Sequence, residues 1–312
     1  MTLEELRRRL RLPVVVAPMF LISGPELVIA AGRAGLIGGF PSINARSAEE
    51  LERWLARIER ELEGAPYAVN LIVRGAGDAR YEADLALIER FQPPLVITSV
   101  GQPHGVVERI HRYGGLVFHD VATLRHAQKA GEAGVDGLIL LTAGAGGHTG
   151  IANPFAFVSQ VRRQWRGAIL LAGGISDGAS ILAACALGAD FAYMGTRFAA
   201  TQESLASPEY KALLVSQAMA DVITTDRISG MSATFLRGSI LRAGLDPDAL
   251  PERLGVFKPA IPPHVKAWRD IWSGGHGVGL IDDIPAVAEL VDRLQAQYDV
   301  VRASLSPAPH AG

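Results

Sequence analysis

Eight short apolar runs, each followed by a stretch with helical periodicity, constrain this chain more than any other feature. The runs fall at residues 14–17, 36–39, 68–72, 95–98, 116–119, 137–141, 168–171 and 191–194. Each is almost continuously apolar, as expected of a strand covered on both faces, rather than alternating in the manner of a half-exposed one. Helical patterns fill the gaps at 24–34, 47–62, 79–91, 106–113, 123–133, 155–165 and 179–187. Ser47, Asp78 and Asp177 stand where N-caps belong, and Gly35, Gly134 and Gly188 where C-caps belong. An open doubly wound sheet uses fewer strands over this length. Eight strands in βα order predict a closed (β/α)8 TIM barrel.

The chain has 312 residues, more than the roughly 250 of a plain barrel. The alternation accounts for the excess by stopping after Phe198. Residues 204–222 read as helix, 222–228 as a short extended piece and 230–257 as irregular or helical. Residues 259–272 hold three prolines. Residues 203–273 are therefore expected to form an inserted, small, mainly helical cap, and 1–202 with 274–303 to form the barrel. Residues 284–298 read as the last helix, and 304–312, with two prolines, as a flexible tail.

Composition sets bounds on function. Apolar residues make up 49% but aromatics only 6%, so the core must be built of Ala, Val, Ile and Leu. The net charge of −2, with no long basic run, disfavours nucleic acid and anionic membrane surfaces as partners. A single cysteine, Cys185, excludes an internal disulfide and a multi-cysteine metal cluster, and no metal is expected. No apolar stretch approaches the ~18–20 residues needed to span a bilayer. The first twelve residues include Glu4 and Glu5 and do not read as a signal or transit peptide, so a cytoplasmic protein is expected.

Barrel active sites lie at the C-terminal ends of the strands, a rule that gathers scattered positions onto one surface. It collects Pro18, Met19, Asn70, Ser99, Asp120, Gly146, Gly147, His148, Gly173, Gly174, Gly195 and Thr196. The loops after the seventh and eighth strands commonly bind phosphate in this fold. Here they read Gly173-Gly174-Ile175 and Gly195-Thr196. As tight turns they would need no ligand; as a pair at these two strands they favour backbone N–H groups and the Thr196 hydroxyl holding phosphate oxygens.

His148 follows Gly146 and Gly147 on a loop where no helix face calls for a histidine. An imidazole with a pKa of about 6.5 can exchange a proton at neutral pH. Asn70 interrupts an apolar run and either satisfies buried backbone or binds a ligand. His119 and His276, with Ser99, are candidates for a substrate pocket.

Taken in order, Ala17-Pro18-Met19, Ala145-Gly146-Gly147-His148-Thr149-Gly150, Ala172-Gly173-Gly174-Ile175 and Met194-Gly195-Thr196-Arg197-Phe198 resemble the nitronate monooxygenase family, formerly called 2-nitropropane dioxygenases. The similarity runs from about residue 14 to 197 and again from 275 to 294. The resemblance implies an FMN-binding barrel with a small cap. Ala17, Pro18 and Met19 would lie along the isoalloxazine. Asn70, Asp120, Ala145, Gly146 and Gly147 would be near the flavin. Gly173, Gly174, Gly195 and Thr196 would hold the FMN phosphate, and His148 would be the active-site histidine.

The implied reaction is oxidation of small alkyl nitronates with O2 to a carbonyl compound and nitrite, and the reading admits a homodimer. Two departures stand out. His119-Asp120 occupies a position where some relatives have His-Lys, and His276 stands where a glutamine is common. The same superfamily holds FMN-dependent enoyl-ACP and NAD(P)H:quinone reductases, which share the Gly-Gly-His loop. A flavin- or phosphate-binding module without turnover, and a barrel acting on a sugar phosphate or nucleotide, remain alternatives.

Overall fold

The computed structural model describes residues 2–74, 77–255 and 258–305. Among the described residues, nine strands and nine helices come first along the chain, running as α1 (Leu3–Arg8), β1 (Val14–Val16), α2 (Pro25–Arg33), β2 (Ile37–Pro41), α3 (Ala48–Leu62), β3 (Tyr67–Ile72), α4 (Ala79–Phe91), β4 (Leu95–Ser99), α5 (His104–His111), β5 (Leu116–Val121), α6 (Leu124–Glu132), β6 (Gly137–Leu141), β7 (Gly147–His148), α7 (Pro154–Gln164), β8 (Ala168–Ala172), α8 (Gly178–Leu187), β9 (Phe191–Met194) and α9 (Thr196–Ala199). After them come α10 (Pro208–Ser216), β10 (Val222–Thr225), β11 (Ala233–Leu236), α11 (Arg237–Arg242) and α12 (Val287–Leu305). All eight expected strands pair in parallel, and β9 closes back onto β1 through Val14–Ala192, Val15–Tyr193 and Val16–Met194. The barrel is closed. Helix α12 packs against α8 and α2 and completes the outer ring.

Strand parity separates two cores. Val14 and Val16, Val69 and Leu71, Val96, Val117 and Val121 face outward onto the helices. Val15, Ala68, Ile97, Phe118, Ile139, Leu170 and Phe191 fill the barrel interior. Leu6 of α1 joins the interior cluster and, with Leu3 and Leu10, plugs the end of the barrel opposite the strand C-termini. The caps behave as the sequence suggests. Ser47 accepts from the Glu50 amide, Asp78 from Arg80 and Tyr81, and Asp177 from Ser180.

Several strands run one or two residues beyond their apolar stretches, to Pro41, Ser99, Val121 and Ala172. The cause is physical. Their last inward positions face a polar opening instead of the apolar interior, so hydrophobicity ends before the hydrogen-bonded ladder does.

Segment 203–273 carries the expected helices, α10 and α11, and adds a β-hairpin. Strand β10 pairs antiparallel with β11, and β11 pairs with β7, so this small sheet joins the segment to the loop that bears His148. Ile228, Phe235, Ile240, Leu250, Val265 and Ile271 form its own small core. A second cluster, including Ile22, Tyr210, Leu214, Leu236, Trp272, Val278 and Ile281, seats it on the barrel. Of the expected tail, 304–305 end α12, and 306–312 lie outside the described residues.

Candidate active site

Period-2 geometry puts one inward side chain per strand at the top of the barrel. They are Ala17 after β1, Pro41 on β2, Asn70 on β3, Ser99 on β4, Asp120 on β5, Leu141 on β6, Ala172 on β8 and Tyr193 on β9. All eight line one cavity of about 400 Å³. Above this floor the walls come from Pro18, Met19, Ala145, Gly146, Gly147 and His148, and from Gly173, Gly174, Gly195 and Thr196. Segment 203–273 contributes Tyr210, Trp268 and Ser273.

The glycine side of the cavity is built for close backbone approach. Gly174 has φ +68°, and the direction a Cβ would take is open space within 4 Å. At Gly173 a Cβ would lie 2.3 Å from Thr142 Oγ1, so only glycine fits. Thr196 Oγ1 accepts from the Gly275 amide at 3.0 Å, which leaves its proton to donate elsewhere. A Cβ on Gly146 would meet that same oxygen at 2.8 Å, so the two loops converge here. The nearby Ser176 hydroxyl is buried without a partner among the described residues.

The polar floor is sparse. Asn70 Nδ2 donates to Ile97 O and Ser99 Oγ, both at 3.1 Å, so its carbonyl oxygen is left for the cavity. Asp120 Oδ1 is buried with no partner among the described residues. What surface Asp120 keeps opens only onto the cavity, and burial pushes its carboxyl up to about 7. Burial, then the Asp120 charge, hold the Tyr193 phenol well above its ordinary range.

His148 sits on β7, opposite Ala233 of β11. Its ring meets Trp268 edge to face, centroids 5.2 Å apart at 79°. Burial lowers its pKa, so the imidazole is neutral at pH 7. Its loop is pinned from the other segment. The Gly147 amide donates to Ser273 Oγ at 2.7 Å, Ser273 Oγ donates to Thr234 O at 2.7 Å, and Thr234 Oγ1 donates to Ala145 O at 2.8 Å.

The family profile described as nitronate monooxygenase matches residues 6–297. The chain belongs to the nitronate monooxygenase family. A nitronate monooxygenase of Paraburkholderia phytofirmans is 28% identical over 91% of this chain and 92% of that one. The solved nitroalkane oxidase of Streptomyces ansochromogenes superposes with a TM-score of 0.81 at 26% identity, covering 96% of this chain and 99% of that one. FabK of Thermotoga maritima superposes with a TM-score of 0.79 at 25% identity, covering 96% of each. The chain is thus an oxidoreductase of the TIM-barrel type.

Within this family frame, the structure brings together Ala17, Pro18, Met19, Asn70, Ser99, Asp120, Ala145, Gly146, Gly147, His148, Gly173, Gly174, Gly195 and Thr196 around one cavity. Two expected pocket residues lie elsewhere. His119 shares the outward parity of Val117 and Val121, is 7% exposed and bonds Thr98 Oγ1 through Nδ1 at 2.8 Å. Burial, then the neighbouring His126, lower its pKa to about 4. His276 packs behind the loop, since a Cβ on Gly144 would lie 2.6 Å from its Nδ1, and its amide donates to Gly144 O. Its ring is not part of the cavity wall.

Sequence reasoning missed Trp268, Tyr210, Ser273 and Ser176. A tryptophan in a proline-rich stretch without strand or helix pattern was the available signal for Trp268. Ser176 stands two residues past the Gly173-Gly174 pair.

Proposed function

We propose that this protein is an FMN-dependent nitronate monooxygenase that oxidises alkyl nitronates with O2 to a carbonyl compound and nitrite. The observation that carries this reading is the neutral His148 imidazole facing a cavity whose opposite rim is a glycine cradle. The residues present fit FMN. The open Gly174 backbone, the spare Thr196 proton and the unpartnered Ser176 hydroxyl suit a phosphate, with Gly173 and Gly195 beside them. The free Asn70 carbonyl oxygen and Asp120 Oδ1 are acceptors for ring donors. Ala17, Pro18 and Met19 give an apolar wall.

When bound, FMN supplies electron transfer between substrate and O2. The chain's own residues do the rest. Neutral His148 accepts the α-proton of a nitroalkane, or donates its N–H to a nitronate oxygen. Trp268 lies against the imidazole and holds water from one of its edges. The overall change places one oxygen atom on the carbon and breaks the C–N bond, releasing nitrite.

The extensive superposition with FabK keeps a nicotinamide-dependent reductase as the second reading. An anaerobic visible spectrum separates the two. Bleaching by ethylnitronate, followed in air by nitrite release, is expected. Rapid bleaching by NADH or NADPH with no response to ethylnitronate would replace the first reading by the second. A colourless protein that takes up no FMN would remove both.

A further inference from the structure

Trp268 belongs to two walls at once. One face of its position lines the main cavity beside His148. The same residue lines a second, smaller cavity of about 230 Å³, walled by Ile228, Pro259, Ile261, Pro262, Pro263 and Val265. Ser229, Ala267 and Lys266 complete that wall, and among the described residues Lys266 is its single charged one.

The indole is held in place on a strained backbone. Trp268 has φ +72°, a left-handed conformation that costs a bulky L residue on the order of 1–3 kcal/mol. The turn around it enforces that state. Its amide donates to Ile271 O at 3.0 Å, the Asp270 amide donates to Lys266 O at 2.9 Å, and the Lys266 amide donates to Asp270 Oδ2 at 2.7 Å. Side-chain packing adds to this, with Phe235 at 5.0 Å and His148 at 5.2 Å between ring centroids. A strained tryptophan between a reaction cavity and a proline-walled pocket has no role in holding the barrel together, since neither ring it packs against belongs to the barrel strands.

We propose that the Trp268 indole is the partition that sets how long an apolar chain the active site accepts, and that the pocket behind it is a tail site for the aliphatic chain of the substrate. The proposal rests on the nitroalkane reading for the head group at His148. The chemistry of the pocket fixes the class of tail. It is aliphatic and uncharged, because the wall offers prolines and branched apolar side chains, and the Ser229 hydroxyl is already spent on Met231 O at 2.9 Å. Each methylene that enters such a pocket tightens binding by up to about fourfold. The partition therefore controls a large difference between short and long chains.

The test is a binding measurement, independent of turnover. Nitroethane and 1-nitrooctane are titrated calorimetrically into the anaerobic protein as purified, and the ratio of their dissociation constants is recorded. In Trp268→Ala the ratio is expected to shift at least tenfold in favour of 1-nitrooctane, because the two cavities merge. Adding Ser229→Phe, which fills the far pocket without touching the main cavity, is expected to reverse that shift. Trp268→Leu serves should the alanine variant fold poorly, and is expected to move the ratio in the same direction by less. A ratio that stays within twofold in the Trp268 variants, or that the Ser229→Phe addition leaves unmoved, overturns the tail site. If the ratio moves as expected while ethylnitronate yields no nitrite, the tail site stands and the proposed reaction fails. Nitrite release with an unmoved ratio removes the tail site and leaves the reaction standing.

Discussion

His148 and Asp120 are titratable side chains whose state at neutral pH is set by the cavity rather than by a partner. Burial lowers His148, so the imidazole stays a base down to a pH below its ordinary value of about 6.5. With nitroethane as substrate, kcat/KM is expected to be flat through pH 7 and to fall only on the acid side of that value, which a pH–rate profile reads directly. His148→Ala is expected to lower nitrite release by about 10²-fold or more with FMN content unchanged; full activity in that variant would remove the histidine from the mechanism.

Asp120 works in the opposite sense. Its folded carboxyl lies near 7 against an ordinary 3.8. Below about pH 3.8 both folded and unfolded chains hold the proton and nothing is lost. Between there and pH 7 the unfolded chain gives up its proton while the folded chain keeps it, so stability falls as pH rises. Above 7 the whole cost, on the order of 4 kcal/mol, is present. Ligand-free Asp120→Asn is therefore expected to melt higher than the parent at pH 8, with the difference gone near pH 4. Both residues were legible in the sequence as polar positions at strand ends. His119 was not separable from Asp120 there, because apolar content alone does not give parity, and one residue's offset turns a side chain from the cavity to the helix layer.

At the scale of elements, barrel strands and helices were legible because each strand is covered on both faces and each helix has its caps. The pairing of β7 with β11 was not. Gly147 and His148 form a two-residue strand whose partner lies more than eighty residues away, and the Val222–Thr225 and Ala233–Leu236 strands are four residues each. No period can be read from so few positions. One junction at this scale is testable. Arg197, at the start of α9, is 2% exposed and reaches Asp283 on the segment that leads into α12, with Nη2 to Oδ1 at 2.7 Å, while Arg293 of α12 holds the other oxygen at 2.7 Å. Burial lowers the Arg197 pKa, and the Arg293 pairing, with Arg197 behind it, lowers that of Asp283. Asp283→Ala leaves a buried guanidinium short of its carboxylate. Loss of a fully buried pair costs about 3–5 kcal/mol; with the Asp283 side chain 36% exposed, about 2 kcal/mol is expected in a urea titration. An unchanged midpoint would show that the Asp283 backbone carbonyl, which also accepts from Arg197, suffices.

For the molecule as a whole, the barrel supplies the cavity floor and the phosphate-side glycines, whereas segment 203–273 decides where His148 stands. Its grip is a relay of buried hydrogen bonds. Tyr210 Oη donates to Ser273 O, Ser273 Oγ joins the Gly147 amide to Thr234 O, and Thr234 Oγ1 donates to Ala145 O. Thr234 is fully buried, so Thr234→Val keeps the shape but leaves the Ala145 carbonyl without that donor, at a cost of about 1–3 kcal/mol. The glycine cradle at Gly173, Gly174, Gly195 and Thr196 does not take part in this relay. Cofactor retention and catalysis should therefore separate. FMN affinity is expected to stay within about twofold, while kcat for ethylnitronate drops about tenfold or more, because displacement of a catalytic group by an ångström costs up to about 10²-fold. If the valine variant lost FMN in proportion to kcat, the relay would be holding the cofactor and not the histidine. If neither changed, His148 would owe its position to the β7–β11 ladder and the Trp268 contact alone.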